Sequence, residues 1–334
     1  MNWSALDWAA LDRLRAQFLD GTAPAAPYWQ SPTDLATYNL TFGERIGWKW
    51  DAVLGELSLR RWSPSGAEKL RVLDWGCGSG IAGRRVVEWL GAAKVASLSV
   101  WDHSPLARQF AAAKAREQFH DLEILELANA EAPCDLLVVS HVLNELTPGA
   151  EDSLLKGIRQ ARAVLWVEPG THPVSRVLQH HRNALRSAFR VVAPCTHQAD
   201  CGLLAAGNEH HWCHHFATPP SGVHADGNWV RFAQRAGIDL RSLPYSFLVL
   251  ERPVSPRTLD SDDTPNARIV GRPEVFKPYV RLLGCEREGV HELTVMKREC
   301  PALYKQLDRA RGPLLYRWQR NGDRIVSGQS CLMT

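Results

Sequence analysis

Three cysteines stand close together in the segment APCTHQADCGLLAAGNEHHWCHHF, which covers residues 193–216. Five residues separate Cys195 from Cys201, and Cys213 follows after eleven more. Thiolates are soft ligands that suit zinc or the iron of an iron-sulfur cluster, and a loop rich in Gly, His and Asn lets several side chains turn toward one centre. The density of cysteines therefore favours a metal-binding segment over three thiols placed there by chance.

A four-ligand site needs one more donor, and the spacing leaves two kinds open. A nearby histidine would complete a zinc site of three cysteines and one histidine. A distant thiolate could also arrive, because YVRLLGCEREGVHELTVMKREC contains two strand-like runs around Glu288-Gly289. That hairpin would place Cys285 near its tip and Cys300 just past its end. The histidine candidates are His197, His210, His211, His214 and His215.

A second motif, KLRVLDWGCGSGIAG, is built for close approach of the backbone to a ligand. A short apolar strand runs into Asp74, and glycines follow at alternate positions, Gly76, Gly78 and Gly80, before a helical pattern begins. Glycines let a strand turn sharply into a helix whose N-terminus faces the bound group. ASLSVWDHS then predicts a second strand ending at Asp102, where an acidic residue accepts hydrogen bonds from ribose hydroxyls.

Further apolar runs alternate with helical stretches after these two strands. LEILEL, CDLLVVS and AVLWVEPG predict the third to fifth strands, and Asn129 follows the third. Strands that alternate with helices favour an α/β fold with a Rossmann-like, parallel, doubly wound sheet. We expect an N-terminal helical region at 1–69, the cofactor-binding core at 70–190, the Cys/His-rich metal-binding insertion at 191–242, and the final strands, hairpin and basic tail at 243–334.

The pattern of a hydrophobic residue, Asp-x-Gly-x-Gly-x-Gly and a closing acidic residue resembles the class I S-adenosylmethionine-dependent methyltransferases. A dinucleotide-binding enzyme is the rival interpretation, and its G-x-G-x-x-G fingerprint is met only by choosing the glycines at 78, 80 and 83. The resemblance implies that the loop of 76–80 cradles the methionine portion of S-adenosylmethionine. It further implies that Asp74 orients this portion through the loop or water, that Asp102 binds the ribose, and that Asn129 lies near the adenine.

The methyl acceptor has no such signature. Enzymes that methylate exocyclic amines of bases carry Asn/Asp-Pro-Pro-aromatic after the fourth strand, and this chain has SHVLNEL there. Cys134 precedes that strand, whereas a cytosine carbon-5 nucleophile would follow it. In the helix expected after the strand, His141, Asn144 and Glu145 could act on a substrate or only pack and cap. The catalytic residues stay unassigned, and the sequence leaves open whether a bound cofactor is used.

The cysteine segment, the PYSFLVL run and the LLGC strand together resemble the methyltransferase-like family of mitochondrial small-ribosomal-subunit assembly proteins and their bacterial relatives. This resemblance runs from the glycine loop to about Arg317. It implies a [4Fe-4S] cluster held by Cys195, Cys201, Cys213 and Cys285, with Cys300 in reserve and a structural or iron-sensing role. The histidine-rich HHWCHHF departs from the family pattern and keeps zinc as the alternative.

The charge distribution and the resemblance favour ribosomal RNA as the partner. Residues 268–325 hold 13 Lys or Arg against 7 Asp or Glu, an excess of six positive charges in a chain whose net charge is +3. A basic surface attracts phosphate backbones, and aromatic residues among the cations suit RNA. The C-terminal segment interleaves Lys305, Arg309, Arg311, Arg317 and Arg320 with Tyr304, Tyr316 and Trp318. The alternative is an amphipathic helix with a charged outer face.

The composition describes a chain that can bury a large core. Of its 334 residues, 45% are hydrophobic and 22% are charged. The N-terminal residues lack the pattern of a signal peptide, and no run approaches the roughly 20 apolar residues of a membrane helix. We therefore expect a cytoplasmic S-adenosylmethionine-binding protein in ribosome biogenesis. It would be an RNA methyltransferase, a non-catalytic assembly or RNA-binding factor, or a zinc-stapled methyltransferase.

Overall fold

Parallel strands alternate with helices in the first half of the protein, as the apolar runs predict. The structure is a computed structural model and describes residues 3–20, 29–253 and 266–331. The chain divides into two compact units, Met1–Val167 with Ala217–Leu243, and Glu168–Phe216 with Pro244–Thr334.

The helices of the described residues fall in both units, and the seventh and ninth belong to the second. In chain order they are α1 (Trp8–Asp20), α2 (Pro32–Tyr38), α3 (Glu44–Leu59), α4 (Ile81–Leu90), α5 (Pro105–Gln118), α6 (Pro148–Gln160), α7 (His172–Leu185), α8 (Gly227–Ala236) and α9 (Pro301–Asp308).

The strands of the described residues form a parallel sheet in the first unit and mainly antiparallel structure in the second. They are β1 (Leu70–Trp75), β2 (Val95–Trp101), β3 (Glu123–Glu126), β4 (Leu136–Ser140), β5 (Ala163–Pro169), β6 (Arg190–Ala193), β7 (His215–Ala217), β8 (Leu243–Glu251), β9 (Ala267–Val275), β10 (Tyr279–Glu286), β11 (Gly289–Met296), β12 (Leu315–Asn321) and β13 (Arg324–Ser330).

The sheet of the first unit confirms the predicted α/β fold. Its strands pair in parallel in the order β3-β2-β1-β4-β5. The inner strands β4 and β5 are buried along almost their whole length, which explains their unbroken apolar sequences. The strand order reverses between β1 and β4, and ligands of such sheets bind at the carboxyl ends of the strands around this point.

The helix expected directly after β4 does not form there. Residues 141–147 are turns and irregular backbone, and α6 begins only at Pro148. His141 has a φ of 57°, which a right-handed helix cannot include. Thr147 caps α6 by accepting a hydrogen bond from the backbone N–H of Ala150, and Pro148 suits the first helical position. The chemistry-bearing residues after β4 therefore lie in a loop.

The N-terminal helices pack against α8 inside the first unit. The ring of Trp229 on α8 lies 5.1 Å from the ring of Trp3 and 4.8 Å from that of Trp48. Arg235 on α8 pairs with Asp12 on α1 at 2.6 Å. The N-terminal region expected to be helical contains α1, whose Leu14 is buried with Trp29 and Leu35.

In the second unit, β8 pairs with the antiparallel β6 and with β7, and residues 266–331 form a closed five-stranded barrel. Around the barrel the order is β10-β11-β13-β12-β9, with β11 parallel to β13. The predicted hairpin is confirmed, because β10 and β11 pair from Tyr279 opposite Met296 to Glu286 opposite Gly289.

The aromatic residues predicted to contact RNA are instead in the barrel core. Tyr304, Tyr316 and Trp318 are all less than 10% exposed and pack with Leu293 and Ile325. Barrel closure turns alternate residues of a strand inward, which places Tyr316 and Trp318 of β12 in the core, and Tyr304 reaches the core from α9. The prediction that they stack on RNA is wrong.

None of the helices in the described part of the chain combines the length and the apolar content that crossing a membrane requires.

Replacing Trp229 by Ala should lower the free energy of unfolding by about 3–5 kcal/mol, because a large buried ring leaves a cavity. The measurement is urea unfolding followed by circular dichroism. The matched control is Val230→Ala at the next residue of α8, since Val230 is 37% exposed. Equal stability of the two variants would contradict the packing described for α8.

Candidate functional site

The glycine loop after β1 adopts backbone angles that side chains disfavour. Gly76 has a φ of 69°, and a Cβ atom there would lie 2.7 Å from Cγ1 of Val142. Gly80 has a φ of 72° and precedes the first turn of α4. Both the left-handed conformation and the close approach require glycine. The predicted strand, turn and helix are therefore all present, with the N-terminus of α4 at the loop.

Asp74 lies beneath this loop. Its carboxylate is fully buried, and Oδ2 accepts a hydrogen bond of 3.0 Å from the N–H of Gly83 in the first turn of α4. Burial raises the pKa of the Asp74 carboxyl to about 7, and Oδ1 has no hydrogen-bond partner in the structure. Asp74 thus holds the first turn of α4 from behind the loop, and its action on the cofactor through the loop or water stays a prediction from the resemblance.

Asp102 connects the end of β2 to the same loop. Its Oδ2 accepts a hydrogen bond of 3.0 Å from the N–H of Gly78, and its Oδ1 accepts one of 2.9 Å from the N–H of Ser104. A carboxylate has about four acceptor positions, so lone pairs remain for the hydroxyl groups of a ligand. Asp102 is 5% exposed and lines a cavity.

The cavity has a volume of about 350 Å³ and opens at the carboxyl ends of β1, β2 and β4. This volume falls within the range of small-molecule sites. Aromatic rings supply much of its wall, with Trp75 and Trp101 4.7 Å apart. An acidic side chain, the backbone of the glycine loop and flat aromatic rings all line this cavity. These residues fit a ribonucleoside with a charged amino-acid portion. Its lining includes Trp29, Tyr38, Ile46, Trp75, Gly76, Cys77, Gly78, Ser79, Trp101, Asp102, His103, Ser140, His141, Val142 and Glu145.

Three of the lining residues belong to the N-terminal helical region, which the sequence did not connect with the cofactor. Trp29, Tyr38 and Ile46 line the cavity. Burial, with the nearby carboxylates of Glu145 and Asp102, raises the pKa of the Tyr38 phenol above its usual range. No local motif marks these residues, because their role depends on how α2 and α3 pack on the sheet.

The loop after β4 brings two of the three residues named from the sequence to the cavity. His141 and Glu145 line it, whereas Asn144 is exposed. His141 Nε2 lies 3.1 Å from Nζ of Lys49, and its Nδ1 lies 3.3 Å from Oγ of Ser140. Burial and the neighbouring Lys49 hold the pKa of His141 well below its usual value. The imidazole is therefore neutral, with both ring nitrogens engaged.

Asn129 is not among the residues that line this cavity. It is exposed, and its Oδ1 accepts a hydrogen bond of 3.2 Å from the N–H of Glu131. This contact is the local turn that asparagine often makes. A contact between Asn129 and adenine stays a prediction from the resemblance.

The second unit brings the four predicted cysteines together. Cys195 and Cys201 follow β6, Cys213 precedes β7, and Cys285 lies on β10. The four thiol groups are close enough to influence one another electrostatically. Burial, with the charge of Cys195, raises the pKa of Cys201 to about 11, and burial with the other three thiols raises that of Cys285 well above its usual value.

Two chain segments distant in sequence meet at this four-cysteine centre. Gly202 packs so closely on the hairpin that a Cβ atom would lie 2.9 Å from Cα of Gly289. His197 Nε2 lies 3.7 Å from Sγ of Cys285. The insertion is therefore tied to the hairpin, as its position in the chain predicts.

Of the five candidate histidines, His197 and His215 lie beside the thiols. His215 Nδ1 faces Nη2 of Arg268 at 3.3 Å, while its Nε2 faces Sγ of Cys213 at 3.6 Å. An arginine can only donate, so Nδ1 accepts and Nε2 carries the proton toward the sulfur. His215 is thus arranged as a hydrogen-bond donor to a thiolate and not as a metal ligand.

The other three histidines are engaged elsewhere. His214 Nδ1 contacts the carbonyl oxygen of Trp212 at 3.0 Å, and the two rings stack at 4.6 Å. His210 and His211 lie beside Glu292. They form no part of the four-cysteine centre.

Two buried arginines surround the four-cysteine centre. Arg182 donates to the carbonyl oxygens of Ala199 and His197, the latter at 3.1 Å, and Arg268 donates to that of Pro194 at 3.1 Å. Both side chains are at most 3% exposed. Burial and the neighbouring thiols raise the pKa of Cys213, and the positive charges of Arg268 and Arg182 counter part of this rise.

A small cavity of about 30 Å³ is lined by three of the cysteines, Gln179 and Arg182. The buried Gln179 amide has no hydrogen-bond partner for either Nε2 or Oε1, and the same holds for Nε of Arg182. Such unpaired buried groups are costly and indicate a missing polar partner. The donor set therefore fits an anionic group held by thiolates.

The remaining cysteines pack away from this centre. Cys300, the reserve ligand, is 9% exposed in the barrel core and donates to the carbonyl oxygen of Val326 at 2.9 Å. Cys77 and Cys134 are buried and Cys331 is half-buried.

A family model described as mitochondrial small ribosomal subunit Rsm22 matches residues 77–315. This range includes the glycines at 78 and 80, Asp102 and the whole four-cysteine centre. A comparison with proteins of curated function returns no match.

Several solved structures resemble parts of the chain. The methyltransferase domain of a bacterial CtHen1 C-terminal fragment has 12% identity and a TM-score of 0.38, over 63% of this chain and 100% of that chain. Ribosomal protein L11 methylase from Lactobacillus delbrueckii subsp. bulgaricus has 18% identity and a TM-score of 0.30, over 42% and 69%. TrmK from M. capricolum, in complex with S-adenosyl-homocysteine, has 9% identity and a TM-score of 0.33, over 61% and 71%.

A Gly76→Ala variant should lose about 1–3 kcal/mol of unfolding free energy, because Ala is strained at this φ and its Cβ would clash with Val142. Thermal unfolding measures this loss. Gly149→Ala is the control, since Gly149 lies in the first turn of α6 without a positive φ, and a Cβ atom there would meet nothing within 4 Å. If both variants melt at the wild-type temperature, the described loop conformation is wrong.

Proposed function

The chain belongs to the mitochondrial small ribosomal subunit Rsm22 family, and on this premise we propose that it is a cytoplasmic, methyltransferase-like protein of small-subunit assembly that binds S-adenosylmethionine and methylates ribosomal RNA. The observation that carries the proposal is the hydrogen bond between Asp102 and the N–H of Gly78 at the edge of the 350 Å³ cavity. It joins the acidic residue and the glycine loop into one cofactor site.

Each part of the cavity has a role in holding the donor. When bound, S-adenosylmethionine supplies an electrophilic methyl group. Asp102 would accept hydrogen bonds from the ribose hydroxyls, and the backbone of the loop at Gly76 and Gly78 would hold the methionine portion near the N-terminus of α4. The rings of Trp29 and Tyr38 would exclude water from the site.

The loop after β4 favours a second candidate function. His141 is the residue nearest in type to a general base, yet Lys49 and Ser140 already occupy both of its ring nitrogens. Both ring nitrogens of His141 are therefore engaged, and the sequence SHVLNEL supplies none of the acceptor signatures named above. This observation favours a non-catalytic assembly or RNA-binding factor that binds the cofactor without transferring its methyl group.

For the second unit we propose a [4Fe-4S] cluster held by Cys195, Cys201, Cys213 and Cys285. Such a cluster is held by four thiolates, which are soft ligands. The positive charges of Arg182 and Arg268 support an anionic complex. Because it would join the insertion to the hairpin, the cluster would contribute to folding of this unit, and a structural or iron-sensing role follows. A zinc ion on the same thiols is the alternative.

An Asp102→Ala variant should bind S-adenosyl-homocysteine at least about tenfold more weakly, because hydrogen bonds to charged groups contribute about 1.5–3 kcal/mol. Isothermal titration calorimetry measures the affinity. Asp121→Ala, which removes an exposed carboxylate outside the cavity, should bind like the wild type. Equal binding by all three proteins would contradict the assigned site.

Transfer of a labelled methyl group to small-subunit RNA, isolated from assembly intermediates, separates the two candidate functions. The wild type should label the RNA and Asp102→Ala should not. Binding of S-adenosyl-homocysteine without labelling of any intermediate would refute the enzymatic function and leave the non-catalytic factor.

Protein purified without oxygen should be brown and contain about four irons and four sulfides per chain. Cys285→Ser should lose the iron, because it removes a ligand. Cys300→Ser should retain it, because Cys300 lies in the barrel core. Iron and sulfide analysis with visible absorption provides the test, and a colourless wild type with one zinc per chain would establish the zinc alternative.

A further inference from the structure

The barrel of residues 266–331 has a topology suited to nucleic acid. Its first three strands, β9, β10 and β11, form a meander, α9 follows, and β12 and β13 complete the closure, with the third strand parallel to the fifth. This is the order of the oligonucleotide- and oligosaccharide-binding fold, which takes its ligands on the second and third strands and the loops beside them. The corresponding surface here is the outer side of β10 and β11.

Along both strands, residues that face this outer side alternate with residues that face the barrel core. On β10, Val280 and Leu282 point inward and are at most 3% exposed, whereas Arg281 between them is 53% exposed. Arg281 lies opposite Thr294, and Tyr279 lies opposite Met296 on β11. We define the β10–β11 face as Phe276, Tyr279, Arg281, Thr294 and Met296.

The β10–β11 face carries a pair of stacked aromatic rings. The rings of Phe276 and Tyr279 lie 4.8 Å apart with an angle of 27° between their planes. Phe276 is 39% exposed, so a large apolar ring stands in water at the turn between β9 and β10. The guanidinium group of Arg281 lies 5.9 Å from the centre of that ring. An exposed ring with a cation beside it is a platform on which a nucleobase stacks.

The charges around these rings suit a phosphate backbone. Lys277 and Lys297 are exposed beside the aromatic pair, and the N–H of Lys297 donates to the carbonyl oxygen of Pro278 at 3.0 Å. Two acidic residues of the surroundings are paired with arginines, Glu274 with Arg281 and Glu299 with Arg324. Residues 268–325 carry the excess of six positive charges noted above, which attracts polyanions to this barrel.

We propose that the β10–β11 face binds single-stranded RNA, with bases stacked on Phe276 and Tyr279 and phosphates near Lys277 and Lys297. Duplex RNA does not offer free base faces, because its bases are stacked on one another. The inference rests on the proposed function, which makes RNA the nucleic acid. It adds an RNA site that involves neither the 350 Å³ cavity nor the thiols of the four-cysteine centre.

The test uses the full chain, purified without oxygen, and a fluorescein-labelled oligouridylate of about 12 nucleotides, within the site size of such barrels, followed by fluorescence anisotropy. Phe276→Ala with Tyr279→Ala should raise Kd about tenfold or more, as loss of base stacking does. The matched control replaces Trp62 and Trp89 by Ala, because these two rings also stack, at 6.3 Å, in the first unit. The control should keep the wild-type Kd.

A charge series tests the phosphate contacts. Lys277→Ala with Lys297→Ala should reduce the slope of log Kd against log salt by about 1.4, because each phosphate contact of a single strand contributes about 0.7. Lys69→Ala with Lys94→Ala removes the same charge from exposed positions of the first unit, outside the β10–β11 face, and should leave the slope nearly unchanged. Unfolding midpoints equal to that of the wild type show that each variant is folded.

Three results would overturn the inference. They are wild-type affinity in the Phe276 and Tyr279 double variant, equal loss of binding in the two charge variants, and an RNA duplex of the same length bound as tightly as the single strand. If these occur while the protein still binds S-adenosyl-homocysteine and co-sediments with small subunits, the RNA face is wrong and the proposed function stands. Failure of both co-sedimentation and methyl transfer would count against the proposed function itself.

Discussion

The second unit depends on two buried arginines that hold an irregular cysteine segment in place. Arg182 and Arg268 donate hydrogen bonds to carbonyl oxygens at Pro194, His197 and Ala199, so the loop backbone is satisfied without regular secondary structure. The same two cations sit where the thiols gather, which makes negative charge at that point tolerable. The positive charges of Arg182 and Arg268 would therefore balance the negative charge of a group bound by the four thiolates.

In the first unit, two carboxylates hold the glycine loop so that its backbone can approach a small polar ligand. Asp74 acts from beneath the loop through the N–H of Gly83, and Asp102 acts from the neighbouring strand through the N–H of Gly78. Asp102 thus holds the middle of the loop and Asp74 holds the first turn of α4, and of the two only Asp102 lines the cavity. The difference in position explains why the two acidic residues have different roles although they lie at the ends of adjacent strands.

In the barrel, the aromatic and basic residues counted along the chain are not the ones that the surface exposes. The interleaved aromatic and basic residues of the C-terminal segment suggest RNA contacts, yet closure buries Tyr304, Tyr316 and Trp318. Arg320 pairs with the buried carboxylate of Glu286 at 2.8 Å, so part of the positive charge serves the barrel itself. The ring of Phe276 is exposed instead, in a short turn that carries no sequence motif. Charge counted along a chain therefore locates a basic domain but not its binding surface.

The sequence by itself determined the parallel α/β sheet, the glycine loop, Asp102 and the cysteine-bearing hairpin, because these features rest on local patterns: apolar runs, alternate glycines and the two-residue turn between strands. Tertiary structure alone decided that Cys285 rather than Cys300 joins the other three thiols, since one lies on a strand facing the insertion and the other in a closed core. It also decided that Trp29 and Tyr38 wall the cavity and that SHVLNEL is a loop with His141 bound to Lys49. Those outcomes depend on contacts between residues far apart in the chain, and a local pattern carries no information about which distant partner a side chain will meet.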